Sequence, residues 1–334
     1  MTDQEKVRFL EEQLNNLYPT KDKIFELAVK NLESTKADEF QNLQNVEKKL
    51  IFGDYKVVGR LGHGQFGQVY LVTPKDESGY LAIKVNMIRR DVDIKAAIAE
   101  LTMNELRKAQ NIPCMLPYLD GTSDLDSAKN AHISDNIQFV MPVGLSYSHY
   151  MTYILEKKNN TFQRTEILAL MYHLFSNLTI LHQHQIIHRD IKPDNIMLIP
   201  SEQGGIRLVF ADFGTSRVVD SATCLTNCGT PIFIPQALRN YTYDRLSPED
   251  AMKFDVYSVA VTCYTIFDAF KPLEPRSREQ HLIVGKPHKV PRPCLCPYDD
   301  IWNILKNIIS NSNRLSAIPS AEEVCSSLDQ LLFS

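Results

Sequence analysis

The stretch "GHGQFGQVYLVTPKDESGYLAIKV", residues 62–85, decides which of two glycine-rich folds the chain can adopt. Gly62, Gly64 and Gly67 have the G-x-G-x-x-G spacing, which by itself is weak evidence because unrelated folds use it. A dinucleotide-binding unit continues from such glycines directly into a helix. Here two runs rich in β-forming residues flank the turn signal "PKDESG", so the sequence predicts a β-hairpin and disfavours the dinucleotide fold.

Composition narrows the class of protein further. The chain has 334 residues, 44% of them hydrophobic, which is enough for one large or two medium domains. A net charge of -4 gives no reason to expect nucleic-acid binding, and no run of about 18 apolar residues predicts a membrane span. The start "MTDQEKVRFLEEQ" is charged where a signal peptide is apolar, and seven cysteines are an odd number for a disulfide framework. We therefore expect an intracellular, cytoplasmic protein.

The hydrophobic pattern divides the chain into three zones. Residues 1–50 show helical spacing in three stretches, with a break at "YPTKD", residues 18–22. From Tyr55 the pattern becomes three β runs, followed by a helix over about 92–110 and the strand "IQFVMPV". The chain beyond "TFQRTEIL" is mostly helical. This order predicts an α+β fold in which a small β-rich lobe precedes a larger helical lobe, with the site between them.

Several polar motifs follow the glycine hairpin in a fixed order. Lys84 ends the third strand in "AIK", "HRDIKPDN" occupies residues 188–195, and Asp212 opens "DFG" at the end of another apolar strand. The segment "GTPIFIPQ", residues 229–236, comes next. Each motif could arise by chance, but the ordered set is specific.

This ordered set resembles the eukaryotic-type protein kinase family, from about Tyr55 to the C-terminus. The resemblance implies a two-lobed kinase fold over residues 51–334, with an N-lobe of about 51–143 and a C-lobe of about 144–334. Residues 1–50 would be a helical N-terminal extension. The family transfers the γ-phosphoryl group of ATP with the help of Mg²⁺.

The family motifs imply a role for each matching residue. Lys84 would bind the nucleotide phosphates, Asp190 would be the catalytic base, and Asn195 and Asp212 would bind Mg²⁺. Lys192 would reach the transferring phosphoryl group, and Thr230 would bond to Asp190 and Lys192. The residues expected around ATP are Gly62, Gly64, Gly67, Val69, Ala82, Lys84, Met141 as gatekeeper, Pro142, Gly144 and Met197.

Two carboxylates on the predicted helix are candidates to hold Lys84. Glu100 is favoured over Glu105 because of its distance from "NIP" at the helix end. Asn104, four residues beyond Glu100, stands where an apolar packing residue is expected.

The catalytic-loop sequence "DIKPDN" and Thr230 in "GTP" are typical of the serine/threonine branch of the family. The resemblance therefore implies a protein serine/threonine kinase whose partner is a protein substrate, with dual specificity left open. A pseudokinase scaffold and a small-molecule or lipid kinase on the same fold are the alternatives. The pseudokinase is disfavoured because the expected catalytic residues are all present, and "GTPIFIPQ" argues against the small-molecule kinase.

Other motif positions predict how the loops are held. Asp255 in "FDVYSVAV" resembles the aspartate that bonds to the catalytic-loop backbone. Gln236 replaces the family's usual glutamate, so we expect only a neutral hydrogen bond from Arg314. Arg189 predicts an anionic partner, for which a phosphate on Thr226 is the favoured candidate, with Thr223 and Ser221 as alternatives and an unmodified loop threonine as the simpler one.

Two further expectations concern origin and assembly. The departures from the family pattern are typical of a divergent kinase, and a pathogen effector would act in the host cytosol. The apolar stripes of the N-terminal extension must be buried, so we expect the extension to pack on the small lobe near the 92–110 helix, or to mediate self-association.

Overall fold

The chain divides into two compact units in the computed structural model. The sheet unit comprises Pro19–Leu145 and Met197–Gly214, and the helical unit comprises Met1–Tyr18, Ser146–Ile196 and Thr215–Ser334. The structure describes residues 2–30, 32, 46–47, 50, 55–63, 67–75, 79–86, 91–121, 137–159, 161–201, 204–219, 229–239, 246–268, 290 and 292–333.

The elements follow the order that the sequence pattern predicts. The helices are α1 Asp3–Leu17, α2 Lys21–Lys30, α3 Asp91–Gln110, α4 Tyr147–Lys157, α5 Arg164–Gln183, α6 Pro248–Phe267, α7 Asp299–Ser310 and α8 Ala321–Phe333. The strands are β1 Tyr55–His63, β2 Gly67–Pro74, β3 Leu81–Asn86, β4 Asp120–Gly121, β5 Ile137–Pro142, β6 Leu145–Ser146, β7 Ile186–Ile187, β8 Ile196–Pro200, β9 Ile206–Phe210 and β10 Arg217–Val218.

The sheet unit is built on an antiparallel sheet with the strand order β1-β2-β3-β5-β4. Side chains alternate between the two faces of a strand, so β3 and β5 each contribute to two apolar clusters. Ala82 and Phe139 lie in one cluster, together with residues of α3. Ile83 and Val140 lie in the other, which Leu50 of the N-terminal extension also joins.

The helix α2 packs within the sheet unit. Its Ala28 lies in a cluster with Leu71 of β2 and Val143, and Phe25 packs against this cluster. The rings of Phe25 and Tyr80 lie 4.4 Å apart between centroids. The apolar stripe of α2 is therefore buried against strand residues of its own chain.

The helical unit is arranged around α6, whose side chains are buried on nearly every side. The helix α5 packs against α8, α6 and α1, and α7 packs against α6. At the N-terminus, Lys6 forms an ion pair with Asp329 at 2.7 Å, and Phe9 lies against Phe333. The contacts described for α1 are thus with α5 and α8.

The predicted α+β fold with N-terminal helices is confirmed. The predicted helix break also agrees with the structure, since α1 ends at Leu17 and α2 begins at Lys21. The expectation that the extension packs on the small lobe agrees with the structure for α2, which lies against strands of the sheet unit, but not for α1, which joins the helical unit. The contacts described above do not include the 92–110 helix. Self-association and the predicted lobe boundaries stay predictions.

Candidate functional site

The glycine hairpin is formed by β1 and β2 of the sheet unit. A Cβ atom added at Gly67 would lie 2.4 Å from the carbonyl oxygen of Val85, so this position accepts only glycine. At Gly62, by contrast, an added Cβ would meet no atom within 4 Å. The backbone there borders open space, as a phosphate-binding turn requires. Gly64 lies outside the described residues.

Lys84 is held between two carboxylates of the sheet unit. Its Nζ lies 2.8 Å from each carboxylate oxygen of Glu100 on α3 and 3.1 Å from Oδ1 of Asp212. The Glu100 side chain is only 2% exposed, whereas that of Asp212 is 30% exposed. The alternative carboxylate, Glu105, is exposed and pairs with Lys108. The geometry therefore places Glu100, and not Glu105, beside the lysine.

Burial and the neighbouring charges shift the pKa of Lys84 in opposite directions. Burial favours the neutral amine, but the carboxylates of Asp212 and Glu100 outweigh it and raise the pKa of Lys84 above its ordinary value. Burial raises the pKa of Glu100, and the charge of Lys84 partly offsets this effect. The cluster therefore carries a firmly protonated lysine that is paired with both carboxylates.

The apolar residues expected around adenine lie in one cluster of the sheet unit. Ala82 and Met141 are directly opposite each other in the β3–β5 pair, and both are buried. Val69 and Met197 are partly buried and pack against the same cluster. The structure thus brings together four residues that are far apart in the sequence.

The segment after β5 leaves its backbone close to β8. A Cβ at Gly144 would lie 2.8 Å from Cγ2 of Ile199 and 3.0 Å from the carbonyl oxygen of Leu198. A side chain at this position would therefore push the segment away from β8. Pro142, the other expected contact to the base, ends β5 opposite Leu81.

In the helical unit, the Asp190 carboxylate accepts hydrogen bonds on both oxygens. The backbone N–H and the hydroxyl of Thr230 donate to Oδ1, at 3.1 and 3.2 Å. Lys192 Nζ and Asn195 Nδ2 each approach Oδ2 to 2.9 Å. Lys192 Nζ also donates to the Thr230 hydroxyl oxygen at 3.0 Å. These four predicted residues form one connected polar cluster.

The backbone around Asp190 depends on two residues with positive φ. Gly229 has φ +99, and a Cβ there would lie 2.5 Å from the carbonyl oxygen of Arg189. Only glycine allows the chain to bring Thr230 this close to the aspartate. Arg189 itself has φ 68, a costly conformation for a residue with a side chain.

Asp255 of α6 holds this strained loop, as its motif predicts. Its fully buried carboxylate accepts the backbone N–H of His188 at 2.7 Å and that of Arg189 at 2.8 Å. His182 Nε2 lies 3.4 Å from the same carboxylate. The central helix thereby fixes the residues that immediately precede Asp190.

The predicted hydrogen bond between Gln236 and Arg314 is not among those formed by the described residues. The Arg314 side chain is exposed, and the bond between the two segments runs from the Ala237 N–H to the Ser312 carbonyl at 2.8 Å. A neutral amide attracts a hydrated guanidinium only weakly, which accounts for the difference. Thr226, the predicted phosphorylation site, lies outside the described residues.

Comparison with known families agrees with this arrangement. The family model described as "Protein kinase domain" matches residues 55–328 of the chain. The chain belongs to the protein kinase domain family. The matched region contains the glycine hairpin, Lys84 and its two carboxylates, and the Asp190 cluster.

Curated relatives of this kinase domain are distant. A probable myosin light chain kinase of Dictyostelium discoideum is 30% identical over 225 residues, which are 66% of this chain and 64% of that protein. A serine/threonine-protein kinase of the same organism is 28% identical over 66% of this chain and 38% of its own length. The RAC-beta serine/threonine-protein kinase B of Xenopus laevis is 31% identical over 59% of this chain and 38% of its own length. The chain thus spans less than two thirds of each of these relatives.

Sequence reasoning missed two residues of the kinase domain site. Tyr118 donates its hydroxyl hydrogen to Glu100, but nothing in the sequence around it indicates a buried carboxylate partner. Gly229 could have been found, since it precedes the expected Thr230 in "GTP".

In the part of the chain that the structure describes, no helix has the length and apolar character to span a membrane.

Proposed function

We propose that this protein kinase domain is an ATP- and Mg²⁺-dependent protein serine/threonine kinase. The observation that carries the proposal is the Asp190 cluster, in which a carboxylate stands beside a lysine and a threonine hydroxyl in one hydrogen-bonded set. The serine/threonine kinases among the relatives support the choice of acceptor. The seven cysteines, an odd number, favour a reducing compartment and so support a cytoplasmic substrate.

The donor atoms present fit a magnesium nucleotide. Asn195 uses Nδ2 to donate to Asp190, so its carbonyl Oδ1 is the atom able to ligate a cation. Asp212 adds a part-exposed carboxylate. Mg²⁺ prefers oxygen ligands and is usually held by one or two side chains together with substrate phosphates.

Each residue then has a defined task in phosphoryl transfer. Bound MgATP supplies the γ-phosphoryl group and the cation that neutralises its charge. Lys84 binds phosphate oxygens, and Glu100 keeps the lysine stem in place. Asp190 accepts the proton of the attacking hydroxyl, while Lys192 offers positive charge beside it. Positioning and charge neutralisation therefore account for the catalysis.

The substitution Asp190→Asn tests this assignment. An amide cannot accept the hydroxyl proton, so we expect kcat to fall by roughly 10²–10⁴-fold, while the Kd for ATP changes by less than about threefold. Transfer from radiolabelled ATP measures kcat, and equilibrium titration with a fluorescent ATP analogue measures Kd. A wild-type rate in Asp190→Asn would show that another residue is the base.

The same assay separates the proposal from its alternatives. Three reactions are run in parallel. The first contains a basic protein, the second a serine/threonine peptide array, and the third small hydroxyl compounds in place of a protein acceptor. Labelling of protein or peptide supports a protein kinase. Labelling confined to the small compounds would indicate a small-molecule kinase, and nucleotide binding without any transfer would indicate a pseudokinase.

A further inference from the structure

Two polar residues are built into the apolar interior of the sheet unit next to α3. Tyr118 follows α3 and is 5% exposed, and Asn104 on α3 is 7% exposed. The Tyr118 ring stacks on Phe139 with 4.4 Å between the ring centroids. Burial of a polar side chain in such surroundings is costly unless it is hydrogen-bonded.

The Tyr118 hydroxyl donates a hydrogen bond to Oε1 of Glu100. The same oxygen lies 2.8 Å from Lys84 Nζ. Glu100 therefore has a donor on either side, one from β3 and one from the segment that follows α3. A carboxylate held by two partners has less freedom to rotate than one held by the lysine alone.

Asn104 in turn fixes the backbone of Tyr118. Its Oδ1 accepts the Tyr118 N–H at 3.4 Å and the Nε–H of Arg107 at 3.2 Å. Asn104 lies four residues after Glu100, so both side chains project from the same face of α3. The carboxylate of Glu100 and the amide of Asn104 thus lie on one face of α3, and the amide positions Tyr118 beside the carboxylate.

We propose that Tyr118 is a positioning residue for the Lys84–Glu100 pair, and that Asn104 holds Tyr118 in place. The proposal deepens the proposed function, because the pair is the part that binds nucleotide phosphate. It also explains why a polar residue occupies position 104: an apolar side chain there offers no acceptor to the buried Tyr118 N–H.

The substitution Tyr118→Phe removes the hydroxyl and keeps the ring on Phe139. With Glu100 less restrained, Lys84 is placed less accurately, so we expect KM and Kd for ATP to rise by roughly three- to tenfold. The value of kcat should change less than KM. A residue that only filled the core would lower the melting temperature and the active fraction, but it would leave KM unchanged.

Tyr150→Phe is the matched control. Tyr150 is fully buried, and its hydroxyl has no hydrogen-bond partner among the described residues. This variant should retain the wild-type KM. In a Glu100→Gln background, Tyr118→Phe should add less than about a twofold change in KM, since the two residues act as one unit.

The reactivity of Lys84 tests the positioning without reference to kinase activity. Reductive methylation followed by mass spectrometry should show Lys84 reacting at least about threefold faster in Tyr118→Phe than in wild type or Tyr150→Phe. If wild type neither binds nor transfers phosphate, the proposed function fails, and Lys84 reactivity still decides this inference. Unchanged KM in an active enzyme, or unchanged Lys84 reactivity, overturns it.

Discussion

At the residue scale, the buried carboxylate of Asp255 supports the strained backbone just before Asp190. The backbone N–H groups of His188 and Arg189 donate to this charged acceptor at 2.7 and 2.8 Å. Asp255→Asn replaces one oxygen by an NH₂ group and removes the charge. We expect the free energy of unfolding to fall by about 2–4 kcal/mol, measured by urea denaturation.

The same substitution should also lower kcat, because Arg189 at φ 68 relaxes when its N–H loses a charged acceptor. Asp250→Asn is the control, since Asp250 lies in the first turn of the same helix and is not fully buried. It should cost less than about 1 kcal/mol. Equal effects in both variants would contradict the special role given to Asp255.

The sequence predicted residues whose role follows from a motif, and it missed those whose role follows from packing. Lys84, Asp190 and Asn195 are recognisable because the order of the motifs is preserved. Tyr118 is not recognisable, because its partner Glu100 lies 18 residues away on a helix whose rotation the sequence does not state. For Gln236 the family pattern suggested a partner that the neutral side chain does not attract.

At the element scale, α1 is joined to α5 by a polar contact at its C-terminal end. The buried hydroxyl of Tyr18 lies 2.9 Å from Nδ1 of the partly exposed His173. Burial lowers the pKa of His173 to about 4, below its ordinary value of 6.5. The unfolded chain therefore takes up a proton between pH 6.5 and about 4 while the folded chain does not, so stability is lost as the pH falls through this range.

Between pH 7 and 4, we expect the titration of His173 to lower the free energy of unfolding by about 1–2 kcal/mol, after allowance for its partial exposure. His173→Gln keeps a hydrogen-bonding partner for Tyr18 and removes the titrating ring. Urea denaturation at pH 7, 5.5 and 4.5 should show a shallower loss of stability in this variant. His63→Gln, at an exposed histidine of β1, is the control. Identical pH profiles for wild type and His173→Gln would contradict the prediction.

Helical spacing predicted that α1 and α2 exist but did not predict the surfaces they cover. Spacing reports which side of a helix is apolar, whereas the partner depends on the shape and chemistry of a distant surface. Here Lys6 of α1 contacts α8, and Tyr18, just after α1, contacts α5, whereas the contacts described above between α2 and the strands are apolar. The polar partners of α1 come more than 100 residues later in the chain and have no local signal.

At the scale of the whole molecule, the proposed function makes nucleotide binding a source of stability. A ligand that binds only the native state at 100 times its Kd stabilises it by about 2.7 kcal/mol. For a chain of this size, we expect MgATP to raise the melting temperature by about 4 °C. Differential scanning fluorimetry with MgATP, with ATP plus EDTA, and with Mg²⁺ alone measures the effect and its dependence on the cation.

Three variants then divide the effect among the residues proposed to produce it. Lys84→Met removes the phosphate-binding charge, and Asp212→Asn weakens the cation site, so both should lose most of the shift with MgATP. Asp190→Asn should keep the shift, because the base acts on the acceptor hydroxyl and not on the nucleotide. If MgATP raised the melting temperature of Lys84→Met as much as that of wild type, the nucleotide would bind at a place other than Lys84. Loss of the shift in Asp190→Asn would instead give Asp190 a role in binding, since a residue that acts only in proton transfer leaves the ground-state affinity for ATP as it was.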